Sequence, residues 1–297
     1  MIVQTVEKVS LGQWLRLKTR AYMELLKFRL SLLVALSAVF GYAMAAGDAS
    51  SWGLLLLMGL GGLMITGASN TLNQVFEREY DAKMARTAQR PMPTARLSVR
   101  EAVAFALVLG LGGIALLGYF FNLEAALLGI IGLLSYAFVY TPMKRLSPFS
   151  VFVGAIPGGL PPLIGWVAFT GGLEAGGLLL FAFQFFWQFP HFWAIAWQLD
   201  DDYQKAGFKM LPTASGRSQA SARLILVYTL CLIPMAYFPL RLDMIAWPGA
   251  LALVLAGLFF TWPAYRLFRN LDDKDARRLM FASFLYLPAI QLAFLFG

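Results

Sequence analysis

NTLNQVFEREYDAKMARTAQRPMPTAR, residues 70–96, closes a long apolar run and opens a charged one. Asn73, Glu77 and Asp81 recur every fourth residue, a spacing that stacks side chains on one face of a helix. Arg86 and Arg90 keep the same spacing, and Pro91 and Pro93 end it. An amide and two carboxylates on one face are hard oxygen donors that suit Mg²⁺ held partly by a substrate's phosphates. Arginine suits the phosphate oxygens themselves. In a soluble protein the same pattern reads as a solvated helix end whose acids pair with its bases. Glu79 and Lys83, four apart on another face, read as such a pair. The neighbour changes the reading: the stretch follows directly on a membrane span.

The 297-residue chain is 59% hydrophobic and 13% charged, with a mean hydropathy of +0.67, the balance of an integral membrane protein. Runs long enough to span fall at roughly 28–46, 53–74, 101–120, 123–141, 149–169, 175–198, 221–240, 244–264 and 279–296. The expected fold is an all-α integral membrane bundle of nine transmembrane helices, with an N-terminal segment, 1–27, and a single membrane domain, 28–297. The net charge of +8 does not call for nucleic acid, because the basic residues sit in the segments between apolar runs, 23 of 24 on one side. The positive-inside rule places that side, with the N-terminus and the acidic stretch, in the cytoplasm and the C-terminus outside. No segment reads as a cleaved signal or a transit peptide, so the expected location is the bacterial cytoplasmic (inner) membrane. One cysteine, Cys231, and one histidine, His191, exclude a disulfide framework and a haem fixed by two histidines of this chain. They nearly exclude a structural zinc.

Lys27 and Arg29, at the mouth of the first span, read first as side chains that snorkel to lipid headgroups. Glycines 59, 61, 62 and 67 permit close packing of the second span, which ends in Asn70 and Asn73. The fifth span, with GAIPGGLPPLIGW at 154–166, carries Pro157, Pro161 and Pro162 and is expected to be broken or strongly kinked. That would make either a packing kink or a wall around a bulky ligand. The sixth, FAFQFFWQFPHFWAIAWQLDDDY at 181–203, places Gln184, Gln188, His191, Ile195, Gln198 and Asp202 at spacings of 4, 3, 4, 3 and 4. That is one helical face, leading to Asp200, Asp201 and Asp202. His191 reads either as a hydrogen-bonded packing residue or as part of a site, and Gln184 and Gln188 as the lining of its acceptor side.

Two acidic clusters and several bases at one mouth of an apolar bundle suit an amphiphile with an anionic, Mg²⁺-binding head and a lipid tail, such as a polyprenyl diphosphate. Metal and cations would stabilise the leaving diphosphate, and dry aromatic walls would shield the allylic cation left behind. The pattern NxxxExxxDxxMxRTxxRP, Asn73 to Pro91, resembles the first motif of the UbiA-type intramembrane prenyltransferases. YTPMKR (140–145), GAIPGGLPPLIGW, WQFPHFWAIAW (187–197) and DDYQKAGFKMLP (201–212) are similar to the protoheme IX farnesyltransferase, or haem O synthase, branch of that superfamily. The resemblance covers nearly the whole chain.

The resemblance implies a UbiA-type bundle that converts haem B, farnesyl diphosphate and water to haem O and diphosphate, with Mg²⁺ as cofactor. It implies Asn73, Glu77 and Asp81 as the first metal–diphosphate motif and Arg86 and Arg90 as diphosphate ligands. Asp201 and Asp202 would form the second acidic motif, Lys144 and Arg145 would sit by the head group, and His191 would face the porphyrin. Glu77, Asp81 and His191 are the implied catalytic set. A haem A synthase or a terminal oxidase in assembly is the implied downstream partner. Two departures stand out: Glu77 where an aspartate is usual, and Gln198 and Ala206 flanking Asp202 where a regular DxxxDxxxD is expected. Prenylation of an aromatic quinone precursor is the nearest alternative, and a transporter of an anionic lipid the alternative from another class.

Overall fold

The computed structural model describes residues 10–297, and among them the regular elements are all helices. Helix α1 (Leu11–Leu26) is amphipathic and starts in a capping box between Ser10 and Gln13. Of the expected N-terminal segment, residues 1–9 lie outside the described part. The spans follow as α2 (Phe28–Ala46), α3 (Trp52–Asp81), α4 (Val99–Phe120) and α5 (Leu123–Leu134). Then come α6 (Ser150–Thr170), α7 (Ala175–Gln198), α8 (Gln219–Cys231), α9 (Trp247–Asn270) and α10 (Asp273–Phe296). Nine segments of the described chain are long and apolar enough to cross a bilayer, so the nine-span reading holds, and this is a multi-pass membrane protein.

Three spans end differently from their apolar runs. The second run extends to Asp81, giving a 30-residue helix, about 45 Å long against a hydrocarbon core of about 30 Å. The last turns of α3 therefore stand clear of the apolar layer. α5 runs on through a π-helical stretch, Ser135–Tyr140, and a final turn, Thr141–Met143. α8 gives way before Pro234, which lacks the N–H to continue it, and the span finishes as a 3₁₀ turn and a short helix, Tyr237–Arg241.

Helices α2–α6 close around Ala38, Tyr42, Ile65, Leu117, Leu133 and Leu163. Helices α7–α10 close around a larger aromatic core that includes Phe183, Phe189, Trp193, Phe260 and Tyr286. The two halves meet along α2, α6, α7 and α10. α6 is the most buried span, and its three prolines lie inside one continuous helix; the expected break is absent. Tertiary contacts explain its continuity. Pro162 cannot donate to the Gly158 carbonyl one turn back, and Gln184 Nε2 of α7 donates there instead, at 2.8 Å. Gln188 Nε2 donates to the Ala155 carbonyl at 3.2 Å. Against α2 the backbones touch: a Cβ on Gly41 would collide with the Pro162 carbonyl, and one on Gly165 with the Ala38 carbonyl.

That contact sets a stability test. Gly41→Ala forces two backbones apart and should cost at least about 1–3 kcal/mol. Gly53→Ala meets nothing within 4 Å and should stay within about 0.5 kcal/mol of the parent. Thermal unfolding of the purified proteins in one detergent compares them; equal midpoints would show that α2 and α6 do not pack this closely.

Candidate active site

The site is built on the overhanging end of α3. Asn73, Glu77 and Asp81 point to one side and are 1%, 5% and 0% exposed, so the sequence spacing carries through to three buried groups. Buried carboxylates need counter-charges, and each has one from another segment. Glu77 Oε1 lies 2.8 Å from Lys144 Nζ. Asp81 receives Arg90 Nη1 on both oxygens, at 3.0 and 2.8 Å. Asn73 donates to Thr141 Oγ1 at 3.2 Å and accepts from Lys27 Nζ at 3.3 Å.

Lys27 is a residue that sequence reasoning underrated. It caps α1 in the left-handed region, at φ 47°, and turns the chain into α2. Its amine is thereby drawn inward to Asn73 and away from the headgroups. Burial, with the charges of Arg90 and Lys144 nearby, pushes its ammonium down to about 7. Burial also opposes the charge of Lys144, but Glu77 outweighs it and holds that amine above the usual lysine range. Lys144 lies over the rings of Tyr140, at 4.7 Å, and Phe208, at 5.8 Å. Tyr140 and Thr141 reach the site from the π-helical end of α5. Both stand in the YTPMKR motif, beside the two basic residues that motif had supplied.

The other expected residues are spread more widely. Arg145 is exposed at the rim, hydrogen-bonded to the Tyr80 hydroxyl. Arg86 is exposed, and its contribution near the acids comes from its backbone, which with that of Ala85 lies against Asp202. The Asp202 carboxyl is held below its usual range by Lys205 first and by those backbone groups next. Asp201 points to solvent and bonds Arg217 at 3.1 Å. The helical face from Gln184 to Asp202 is interrupted at Leu199, which leaves helical geometry, and Asp200–Lys205 form a separate short helix. Its three aspartates sit at that helix's positive N-terminus. The Glu79–Lys83 pair is not formed: Glu79 meets Arg78 at 3.0 Å, and Lys83 sits over the Tyr80 ring at 5.4 Å.

Deeper on α7, Gln184 and Gln188 line the seam with α6, their amide nitrogens spent on its carbonyls. His191 is 8% exposed, stacks on Trp187 at 4.6 Å, and meets Ser283 Oγ of α10 through Nδ1 at 2.7 Å.

No cluster of three or more His, Cys, Asp or Glu stands ready for a metal among the described residues. The donor chemistry nevertheless fits one. Glu77 Oε1 is buried and, though close to Lys144, makes no aligned hydrogen bond. It keeps a free lone pair beside Asp81 and the Asn73 amide, a set of hard oxygens suited to a divalent cation.

A long helix ending in an amide–carboxylate face, ringed by lysine and arginine at the mouth of an apolar bundle, defines a membrane enzyme that handles an anionic amphiphile. The chain belongs to the UbiA prenyltransferase family, whose model matches residues 34–286. It is 45% identical over 277 residues to the protoheme IX farnesyltransferase of Cytophaga hutchinsonii, covering 93% of this chain and 96% of that protein. Solved structures share the fold at low identity. Digeranylgeranylglyceryl phosphate synthase superposes with a TM-score of 0.78 at 18% identity, over 94% of this chain and 98% of that one. A UbiA homologue from Archaeoglobus fulgidus, solved with GPP and Mg²⁺, gives 0.73 at 16%, over 92% and 99%.

If Lys27 supplies a charge to a bound diphosphate, Lys27→Met should weaken binding of a non-hydrolysable farnesyl diphosphate analogue by about 10–100-fold, the loss of one charge-assisted hydrogen bond. Lys27→Arg should recover most of it. Isothermal titration of purified protein measures both, and parent-like affinity in Lys27→Met would return Lys27 to the headgroups.

Proposed function

We propose that this chain transfers the farnesyl group of farnesyl diphosphate to a vinyl group of haem B, with addition of water, to give haem O and diphosphate. The observation that carries the reading is the face of Asn73, Glu77 and Asp81 ringed by Lys27, Lys144 and Arg90, in a chain 45% identical to the protoheme IX farnesyltransferase of Cytophaga hutchinsonii. Mg²⁺ is the metal we assign; Glu77, Asp81 and Asn73, with Asp202 of the second acidic segment, would hold it. When bound, it neutralises the diphosphate and makes it a better leaving group.

The paired charges suggest how this chain receives its donor. In the free protein Lys144 occupies Glu77 and Arg90 occupies Asp81. A metal–diphosphate head lets the carboxylates turn to the cation and the basic groups to phosphate oxygens, so no charge is left buried and unpaired. Lys27 and Lys144 then face the charge that builds on the departing diphosphate. The farnesyl chain runs into the apolar bundle, where tryptophan and phenylalanine keep water from the allylic cation. The haem vinyl group attacks that cation, and water closes the new cation as a hydroxyl, losing a proton. Gln184, Gln188 and His191 lie on the acceptor side.

We place this end of the bundle in the cytoplasm of a bacterial inner membrane, on the strength of 23 of 24 basic residues. A haem A synthase or an assembling terminal oxidase would take the product. In a Cys231→Ser background, a cysteine introduced within 96–100 should label from the cytoplasmic face; labelling from outside alone would invert the topology.

Purified protein given Mg²⁺, farnesyl diphosphate and haem B should yield a porphyrin heavier by one farnesyl plus one hydroxyl, as mass spectrometry would show. Chelation of the metal should stop it, and Asp81→Asn should lower turnover by at least about 100-fold, since it removes a metal ligand and unpairs Arg90. Prenylation of a hydroxybenzoate with haem returned unchanged would replace haem by an aromatic-ring acceptor. Passage of labelled farnesyl diphosphate across proteoliposomes without any prenylated product would replace the enzyme by a transporter.

A further inference from the structure

His191 is the one histidine of the chain, and the hydrogen bonds around it determine which nitrogen is free. Ser283 Oγ lies 2.5 Å from the Met280 carbonyl oxygen and 2.7 Å from His191 Nδ1. A hydroxyl has one hydrogen. The carbonyl can only accept, so that hydrogen goes to Met280, and towards His191 the serine oxygen can only accept. Were it to donate to the imidazole instead, two oxygens would face each other at 2.5 Å with no hydrogen between them. His191 therefore carries its proton on Nδ1, and Nε2 presents a lone pair.

The surroundings hold the ring in that pose. The Trp187 indole stacks on it at 4.6 Å and 16°, and Phe284 meets it edge-on at 5.3 Å. Trp187 Nε1 in turn donates to the Ser283 backbone carbonyl at 2.9 Å, so one α10 residue fixes both rings. Nε2 has no hydrogen-bond partner among the described residues. Further along α10, Gln291 donates to Ser37 of α2 at 3.2 Å. Ser283 lies eight residues, about 12 Å, nearer the acidic end of the bundle. That places the His191–Ser283 contact on the charged-mouth side of the α10–α2 bond.

An imidazole whose far nitrogen is pinned by a hydrogen-bond acceptor is the arrangement that metal-binding histidines require. We propose that His191 Nε2 ligates the iron of the porphyrin acceptor, and that Ser283 is the positioning residue that fixes its tautomer and direction. The assignment rests on the reading of haem B as acceptor. A serine acceptor raises imidazole basicity less than a carboxylate would, and with no second histidine the iron keeps one axial face without one. Both features suit a haem that binds, reacts and leaves.

The test is haem binding to the purified full-length chain, read by absorption and by resonance Raman of the ferrous form. The parent should show an iron–histidine stretch. His191→Ala should lose it and regain a ligated spectrum with added imidazole. Ser283→Ala should weaken haem binding about 10–100-fold and shift the stretch, the scale of a lost outer-shell partner, while Ser283→Thr restores both. Affinity for a farnesyl diphosphate analogue should be unchanged in all of them, which also reports that they are folded. An iron–histidine signal that persists in His191→Ala, or a Ser283→Ala protein that matches the parent, overturns the proposal. Farnesylated haem from a parent that shows no iron–histidine signal overturns the ligation alone and leaves the acceptor reading standing. A parent that neither binds nor farnesylates haem removes both.

Discussion

Asp81 has no exposure to solvent and is held by Arg90 on both oxygens; one turn above it Glu77 leans on Lys144. Charges buried this far are tolerable only in pairs, since removal of one partner from such a pair costs about 3–5 kcal/mol. This constraint shapes the end of the bundle. The loop after α3 must fold back to deliver Arg90, and the end of α5 must deliver Lys144. Residues 199–209 then cover that arrangement: the Lys209 N–H donates to the Lys144 carbonyl at 2.7 Å, and Phe208 lies beneath the Lys144 ammonium. The same pairing makes the site responsive to a ligand. A divalent cation and a diphosphate together bring one charge for each member of each pair, and neither does so alone.

Backbone irregularity does much of the aiming. α3 overshoots the apolar layer, so its last three polar turns stand at the mouth. The π-helical stretch of α5 brings Tyr140 and Thr141 round to the same face. A left-handed residue between α1 and α2 turns a lysine inward. Each departs from the simplest geometry at the place where a polar group is needed, and such departures concentrate at functional sites.

The spans were legible because each is a run of apolar residues between charged segments, a signal that survives any uncertainty about packing. The α3 face was legible because three polar residues at one period are costly beside a membrane unless they are used. Other parts were not legible, for reasons specific to each. Lys27 looks like any basic residue at a span's mouth until the left-handed turn is known. The spacing of Gln184 points to a lining for an acceptor; it gives no sign that the amide nitrogen also answers a carbonyl freed by Pro162, a requirement set by another helix. The stripe could not be followed past Leu199, where the helix ends and restarts. Glu79 and Lys83 have ideal spacing for a pair, yet Arg78 and the Tyr80 ring compete successfully at an exposed end, where such a pair contributes only a few tenths of a kcal/mol. Ser283 carries no motif; its role depends on an interhelical contact.

The central claim is that the buried acid–base pairs trade partners when metal and diphosphate arrive together. Electron paramagnetic resonance of Mn²⁺, used in place of Mg²⁺, tests it directly. With Glu77 and Asp81 engaged by Lys144 and Arg90, the free protein should bind Mn²⁺ weakly. A non-hydrolysable farnesyl diphosphate analogue should tighten binding at least about tenfold, a coupling of about 1.4 kcal/mol or more, and phosphorus hyperfine coupling should appear. Asp81→Asn should abolish that gain. Equal Mn²⁺ affinity with and without the diphosphate, or a gain that survives Asp81→Asn, would contradict the account.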